Sequence, residues 1–172
     1  MSADALVPDI FTTDYIGEPG QRSFFVQIRT ASATQTLTIE KQQVAVLAEK
    51  LTEMLLMIDP GDPVREGTLE RDPVLDAVPM PGEWRVGAVG IAYDETTELI
   101  VIEFGPVEQE GLEEPADPPE LLRIALTKDK VRAFALHALA VINEGRPECQ
   151  LCGLPMDPAG HACPATNGHH PN

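Results

Sequence analysis

The hydrophobic period changes twice along this chain, in the same direction each time, and no other feature restricts the fold as much. In "LTIEKQQVAVLA", residues 37–48, alternation ends near Glu40 and gives way to apolar spacing of three and four. In "IALTKDKVRAFA", residues 124–135, the same switch follows Thr127. Alternation puts every second side chain on one face of a strand, whereas three-and-four spacing draws an apolar stripe along a helix. The two junctions also align: Lys41 with Lys128, Val44 with Val131, Leu47 with Phe134 and Ala48 with Ala135.

The stretches before each junction read alike. "DIFTTDYIG", "RSFFVQIRT" and "QTLTIE" are three strand-like runs separated by the turns "EPGQ" and "ASAT", which is the spacing of a meander. The helix "KQQVAVLAEKLTEMLLMI" follows, with Val44, Leu47, Leu51, Met54, Leu55 and Ile58 on its apolar face and Asp59-Pro60-Gly61 as its stop. Later, "WRVGAVGIAYD", "ELIVIEF" and "ELLRIALT" read as three more strands, with Gly87 and Gly90 marking a bulge or bend. The second helix is "KDKVRAFALHALAVINEG". Its apolar residues include Val131, Phe134, Leu136, Leu139 and Ile142, and Gly145 stands at its C-terminal cap.

The expected fold is therefore α+β, a duplicated βββα unit. The first copy covers about residues 9–59 and the second about 84–146, within a domain of residues 1–146. The strands form two antiparallel three-stranded sheets or one six-stranded sheet, with both helices packed on one face, because neither half alone would bury its apolar surfaces. Residues 147–172 form a separate C-terminal tail.

That tail holds all three cysteines of the chain. Cys149-Gln-Leu-Cys152-Gly153 has the form of a zinc knuckle: two thiolates turn onto one metal, and the glycine permits the tight turn beneath them. "GLPMDPAG" then loops the chain back to His161 and Cys163. Cys149, Cys152, His161 and Cys163 together make a tetrahedral site for a structural Zn2+ whose four positions are all filled by protein. The fourth position has alternatives: His169 or His170, or water, which would leave the metal open to catalysis. Iron is the other metal that thiolates accept, and histidine tilts the choice to zinc. The tail has few apolar side chains and cannot build a core, so metal binding supplies its order. Leu151 and Leu154 are expected to dock against the second helix.

Charge narrows the partners. The formal net charge is −16, which argues against binding to a nucleic-acid backbone. Residues 59–83 hold seven acids against two arginines, and residues 103–120 hold seven acids and no base. Both stretches are proline-rich and read as solvated loops; a basic protein partner is the functional reading of the same charge. No apolar run is long enough to span a bilayer, and "MSADALVPDIF" is not a signal peptide, so a cytoplasmic protein is expected. Ser2, Ser23 and Ser32 sit in no nucleophile elbow, and His137 reads as a surface or half-buried helix residue.

Three blocks, "GEPGQRSFFVQ" (17–27), "EKQQVAVLAEKL" (40–51) and "CQLCGLPMDPAGHACPATNG" (149–168), resemble an uncharacterised actinobacterial family, a domain of unknown function, over nearly the whole chain. In that family a proline usually follows the first cysteine, where this chain has Gln150. The resemblance implies an intracellular protein and no established reaction. Two functions follow from the residues themselves. One is a non-enzymatic, zinc-binding module that binds a protein. The other is an enzyme or small-anion binder with its site between the repeats, where Lys41, Lys128, Arg22 or Arg29 would hold the anion. Lys41, Lys128 and Lys130 lie where helix N-termini are expected, and the plain reading is that they are exposed and tolerated there.

Overall fold

The computed structural model describes residues 4–18, 20–61, 85–107, 121–144, 149–153, 163 and 165. The expected cap at Gly145 and most of both acidic loops lie outside these residues. The chain divides into two compact units, Met1–Ile142 and Asn143–Asn172.

In the first unit the order βββα occurs twice: β1 (Ile10–Ile16), β2 (Ser23–Arg29), β3 (Thr34–Ile39) and α1 (Lys41–Ile58), then β4 (Val86–Asp94), β5 (Leu99–Pro106), β6 (Leu122–Leu126) and α2 (Lys128–Asn143). The strands form two separate antiparallel sheets, β1-β2-β3 and β4-β5-β6, rather than a single six-stranded one. Register follows the alternation. Val26 pairs with both Thr13 and Leu37, and Ile102 pairs with both Ile91 and Ile124, so the core face of the second sheet is apolar from edge to edge, while the buried Thr13 interrupts that of the first at its edge strand. These faces and the two helices enclose one core, in which Val26, Leu37, Leu51, Leu55, Ile102 and Phe104 are fully buried.

The two glycines of β4 differ in role. The register shifts between Val86 and Ala88, which places the bulge at Gly87. A Cβ there would lie 2.7 Å from the Pro106 carbonyl oxygen, too close for any other residue without a backbone shift. Gly90 pairs regularly with Glu103 and marks no bend.

Helix α1 buries Val44, Leu47, Ala48, Leu51 and Leu55; of the expected stripe, Met54 and Ile58 are only partly buried against the core. Helix α2 buries a mixed set of large and small side chains. Its buried residues are Val131, Phe134, Ala135, Ala138, Val141 and Ile142, while Leu136 is only half-buried and Leu139 is 39% exposed. At about 100° per residue, a stripe through 131, 134, 138 and 141 leaves 139 well to one side and 136 on the opposite side. Ala135 and Ala138 take core positions alongside the larger side chains.

The halves exchange their ends. Leu6, ahead of β1, makes a parallel bridge to Ile124 of β6, and Arg85, ahead of β4, makes one to Thr38 of β3. The residue three into each helix then braces the lead-in of the other half. Gln43 Nε2 donates to the carbonyl oxygens of Val86 at 3.2 Å and Gly87 at 3.0 Å, while its Oε1 accepts the Glu40 N–H at 2.9 Å. Lys130, which aligns with Gln43, donates its ammonium to the carbonyl oxygens of Pro8 and Asp9. Lys130 is thus a tie across the molecule and not a tolerated surface charge. Lys130→Met keeps the aliphatic stem and leaves two carbonyls without their charged donor. A loss of about 1–2 kcal/mol is expected in urea unfolding, with Lys128→Met near neutral as the control.

Candidate metal centre

In the second unit the chain turns tightly at its cysteines. The Gly153 N–H donates to the Cys149 carbonyl oxygen at 2.8 Å, and Gly153 sits at φ +72°, a left-handed conformation that glycine adopts at no steric cost. This turn directs the amides of Cys152 and Leu151 at the Cys149 sulfur. Those N–H groups, Cys152 first, hold the Cys149 thiol below its ordinary pKa; desolvation works the other way, and the Cys152 and Cys163 thiols add to the lowering. Hydrogen bonds to the charged form are what stabilise a thiolate ready for a metal.

Cys163 is far along the sequence yet closes on the same point. The Sγ atoms of Cys149, Cys152 and Cys163 all lie within 4.8 Å of one another, with Cys149 and Cys163 at 3.8 Å. Cys149 and Cys163 are buried and Cys152 half-buried, and all three are free thiols. Three sulfurs at this separation can hold one metal ion. His161, His169 and His170 lie outside the described residues. Leu151 is 68% exposed. Its backbone is turned toward the Cys149 sulfur, and its side chain is left outward.

The candidate anion ligands are each otherwise engaged. Arg22 lies over the Tyr15 ring at 4.1 Å, and Arg29 Nε donates to Thr34 Oγ1 at 3.1 Å. Lys128 sits 5.9 Å from the Tyr93 ring and lines a cleft of about 280 Å³ with Arg132. Asp59, Glu98 and Asp129 line the same cleft, a surplus of acid that does not suit an anion. Lys41 opens α1. His137 is half-buried as expected and has a definite partner, donating from Nε2 to the Thr13 carbonyl oxygen at 2.8 Å. Among the described residues, no helix is long and apolar enough to cross a membrane.

The sequence reading missed an open groove of about 580 Å³ between α1 and β4, lined by Gln43, Val46, Leu47, Lys50, Val89 and Ile91 among others. The signal was there in β4, whose "VGAVGIAY" carries small residues and no charge at a sheet edge.

A family model described as "Protein of unknown function (DUF3090)" matches residues 5–163. No curated protein matches the chain, and neither does any solved structure.

Proposed function

We propose, from the premise that the chain belongs to the DUF3090 family of proteins of unknown function, that it is a non-enzymatic protein-binding module whose C-terminal tail is ordered by a structural zinc ion. The observation that carries the metal reading is the sulfur geometry. Two thiolates each 2.3 Å from a tetrahedral zinc stand about 3.8 Å apart, and Cys149 Sγ and Cys163 Sγ stand 3.8 Å apart. The amides aimed at Cys149 are the outer-shell support that thiolate ligands use.

His161 is the fourth ligand in this reading. It is two residues from Cys163, and two residues of chain reach at most about 7 Å, so the cluster is within reach of its ring. A site closed by four protein ligands orders a fold and leaves no position for substrate. The net charge of −16 favours a basic partner over nucleic acid, and a reduced thiolate site suits the cytoplasm.

Elemental mass spectrometry of the purified protein tests the metal. One zinc per chain is expected, lost in Cys152→Ser and sharply reduced in His161→Ala. Full zinc in His161→Ala would transfer the fourth position to His169, His170 or water. Absence of metal from freshly reduced protein would sink the reading.

A further inference from the structure

The two helix-to-edge-strand seams of the first unit occupy equivalent places, and one is closed while the other is open. Aligning β1 with β4 on Tyr15 and Tyr93 sets Phe11 against Val89 and Thr13 against Ile91. The helix alignment sets Phe134 against Leu47 and His137 against Lys50. At the first seam, between β1 and α2, the Phe11 and Phe134 rings stack at 4.1 Å, and His137 holds the Thr13 carbonyl. Phe11 and Thr13 are buried. At the second, between β4 and α1, smaller side chains replace both rings and a flexible lysine replaces the histidine. The groove of about 580 Å³ is the result.

Among the described residues β4 pairs as a strand only with β5. Apart from the isolated bridge at Arg85 and the Gln43 amide at the Val86 and Gly87 carbonyls, its other edge is unpaired among those residues from Ala88 onward. From Val86 to Tyr93 it carries no charge and no proline, and beyond the bulge at Gly87 it has none of the side chains that usually protect an edge. Gly87, Ala88, Gly90 and Ala92 are exposed, and Val89 and Ile91 are half-exposed.

We infer that this groove binds an extended peptide that adds a strand to β4, sets apolar side chains between Val46 and Ile91, and carries lysine or arginine at one end. Main-chain pairing supplies affinity in strand addition, and pockets for alternate side chains supply selectivity. Three turns of α1 and five residues of β4 each span roughly 15 Å, a length for about five peptide residues.

Charge selects this occupant over a second copy. The cleft shared by Asp59 and Glu98 shows that the C-terminal end of α1 lies by the β4–β5 turn. Glu53, Asp94, Glu95 and Glu98 are exposed on these two elements, so acids gather at that end of the groove. A basic peptide end is drawn there, whereas a second chain of net charge −16 is repelled.

The inference rests on the reading of the protein as a protein-binding module, and gives that binding a surface with a readout separate from metal content. A library of random twelve-residue peptides displayed on phage is selected against the full-length, zinc-loaded protein at physiological salt. Enriched peptides are then measured by fluorescence anisotropy. Alternating apolar residues with Lys or Arg at one end are expected, with at least tenfold weaker binding to Val46→Glu, a substitution at a half-exposed site. Glu95→Lys, on the turn, should weaken binding severalfold and flatten its salt dependence. The inference is overturned by failure to enrich, by enriched peptides without basic residues, or by binding that Val46→Glu leaves unchanged. A dimer that Val46→Glu converts to monomer would assign the groove to a second copy instead. Peptide binding in a protein that holds no zinc would leave the groove standing and remove only the metal.

Discussion

Phe134→Ala should cost about 3–5 kcal/mol, a large share of the ~5–15 kcal/mol that holds a typical domain folded. The Phe134 ring is 2% exposed and stacks on Phe11, which in turn meets Phe104 at 6.2 Å. Phe104 is fully buried. Removing the Phe134 ring therefore empties space between α2 and both sheets, and Phe11, fixed on a strand, cannot move far enough to fill it. The melting temperature should fall by roughly 10 °C or more. Leu139→Ala, five residues along the same helix, removes a side chain that is 39% exposed and should cost under about 1 kcal/mol. Calorimetry on the pair reads the helix face directly: equal losses would mean that α2 is rotated from the orientation described here.

On the proposed zinc reading, removal of the metal should have the other large effect, and a local one. Structural zinc supplies on the order of 10 kcal/mol of ordering free energy in small thiolate sites, and this tail has little apolar surface to take its place. Under a strong chelator in reducing buffer, the amides of Leu151, Cys152 and Gly153 should exchange at least a hundredfold faster. The amides of β5 should keep their protection, since the core around Ile100, Ile102 and Phe104 contains no metal ligand. Acid should mimic the chelator because protons compete for the thiolates. The lowered pKa of Cys149 carries its ligation to lower pH than an ordinary thiol would allow. Unchanged exchange at residues 151–153 would show that the knuckle holds without metal.

Much of this was legible before any coordinates, for identifiable reasons. The boundaries of α1 at Lys41 and Ile58 follow from a period change at one end and Asp59-Pro60-Gly61 at the other, both local signals. The cysteine cluster was legible because the knuckle is set by spacing and one glycine. Which face of α2 is buried was not legible, because apolar residues lie on more than one side of it: Ala135 and Ala138 are buried while Leu139 is 39% exposed. The braces from Gln43 and Lys130 left no trace, since an amide and an ammonium do the same work at aligned positions and their carbonyl acceptors have no sequence signature. The groove was hidden for a related reason: it comes from Val89 and Leu47 being smaller than Phe11 and Phe134, a comparison that needs the two seams superposed.

The exchanged ends bear on how the chain reaches this state during synthesis. The pairing partner of Leu6, Ile124, emerges only after more than a hundred further residues have been made. At about 5–20 residues per second, the nascent N-terminal half waits several seconds or more with the outer edge of β3 and its apolar face uncovered. Contacts so distant along the chain make for slow folding, and a half-made chain is prone to pair with another like itself. The first βββα unit therefore lacks a pairing partner until β6 is made, and the nascent chain is expected to be most exposed to chaperones and proteases in that interval.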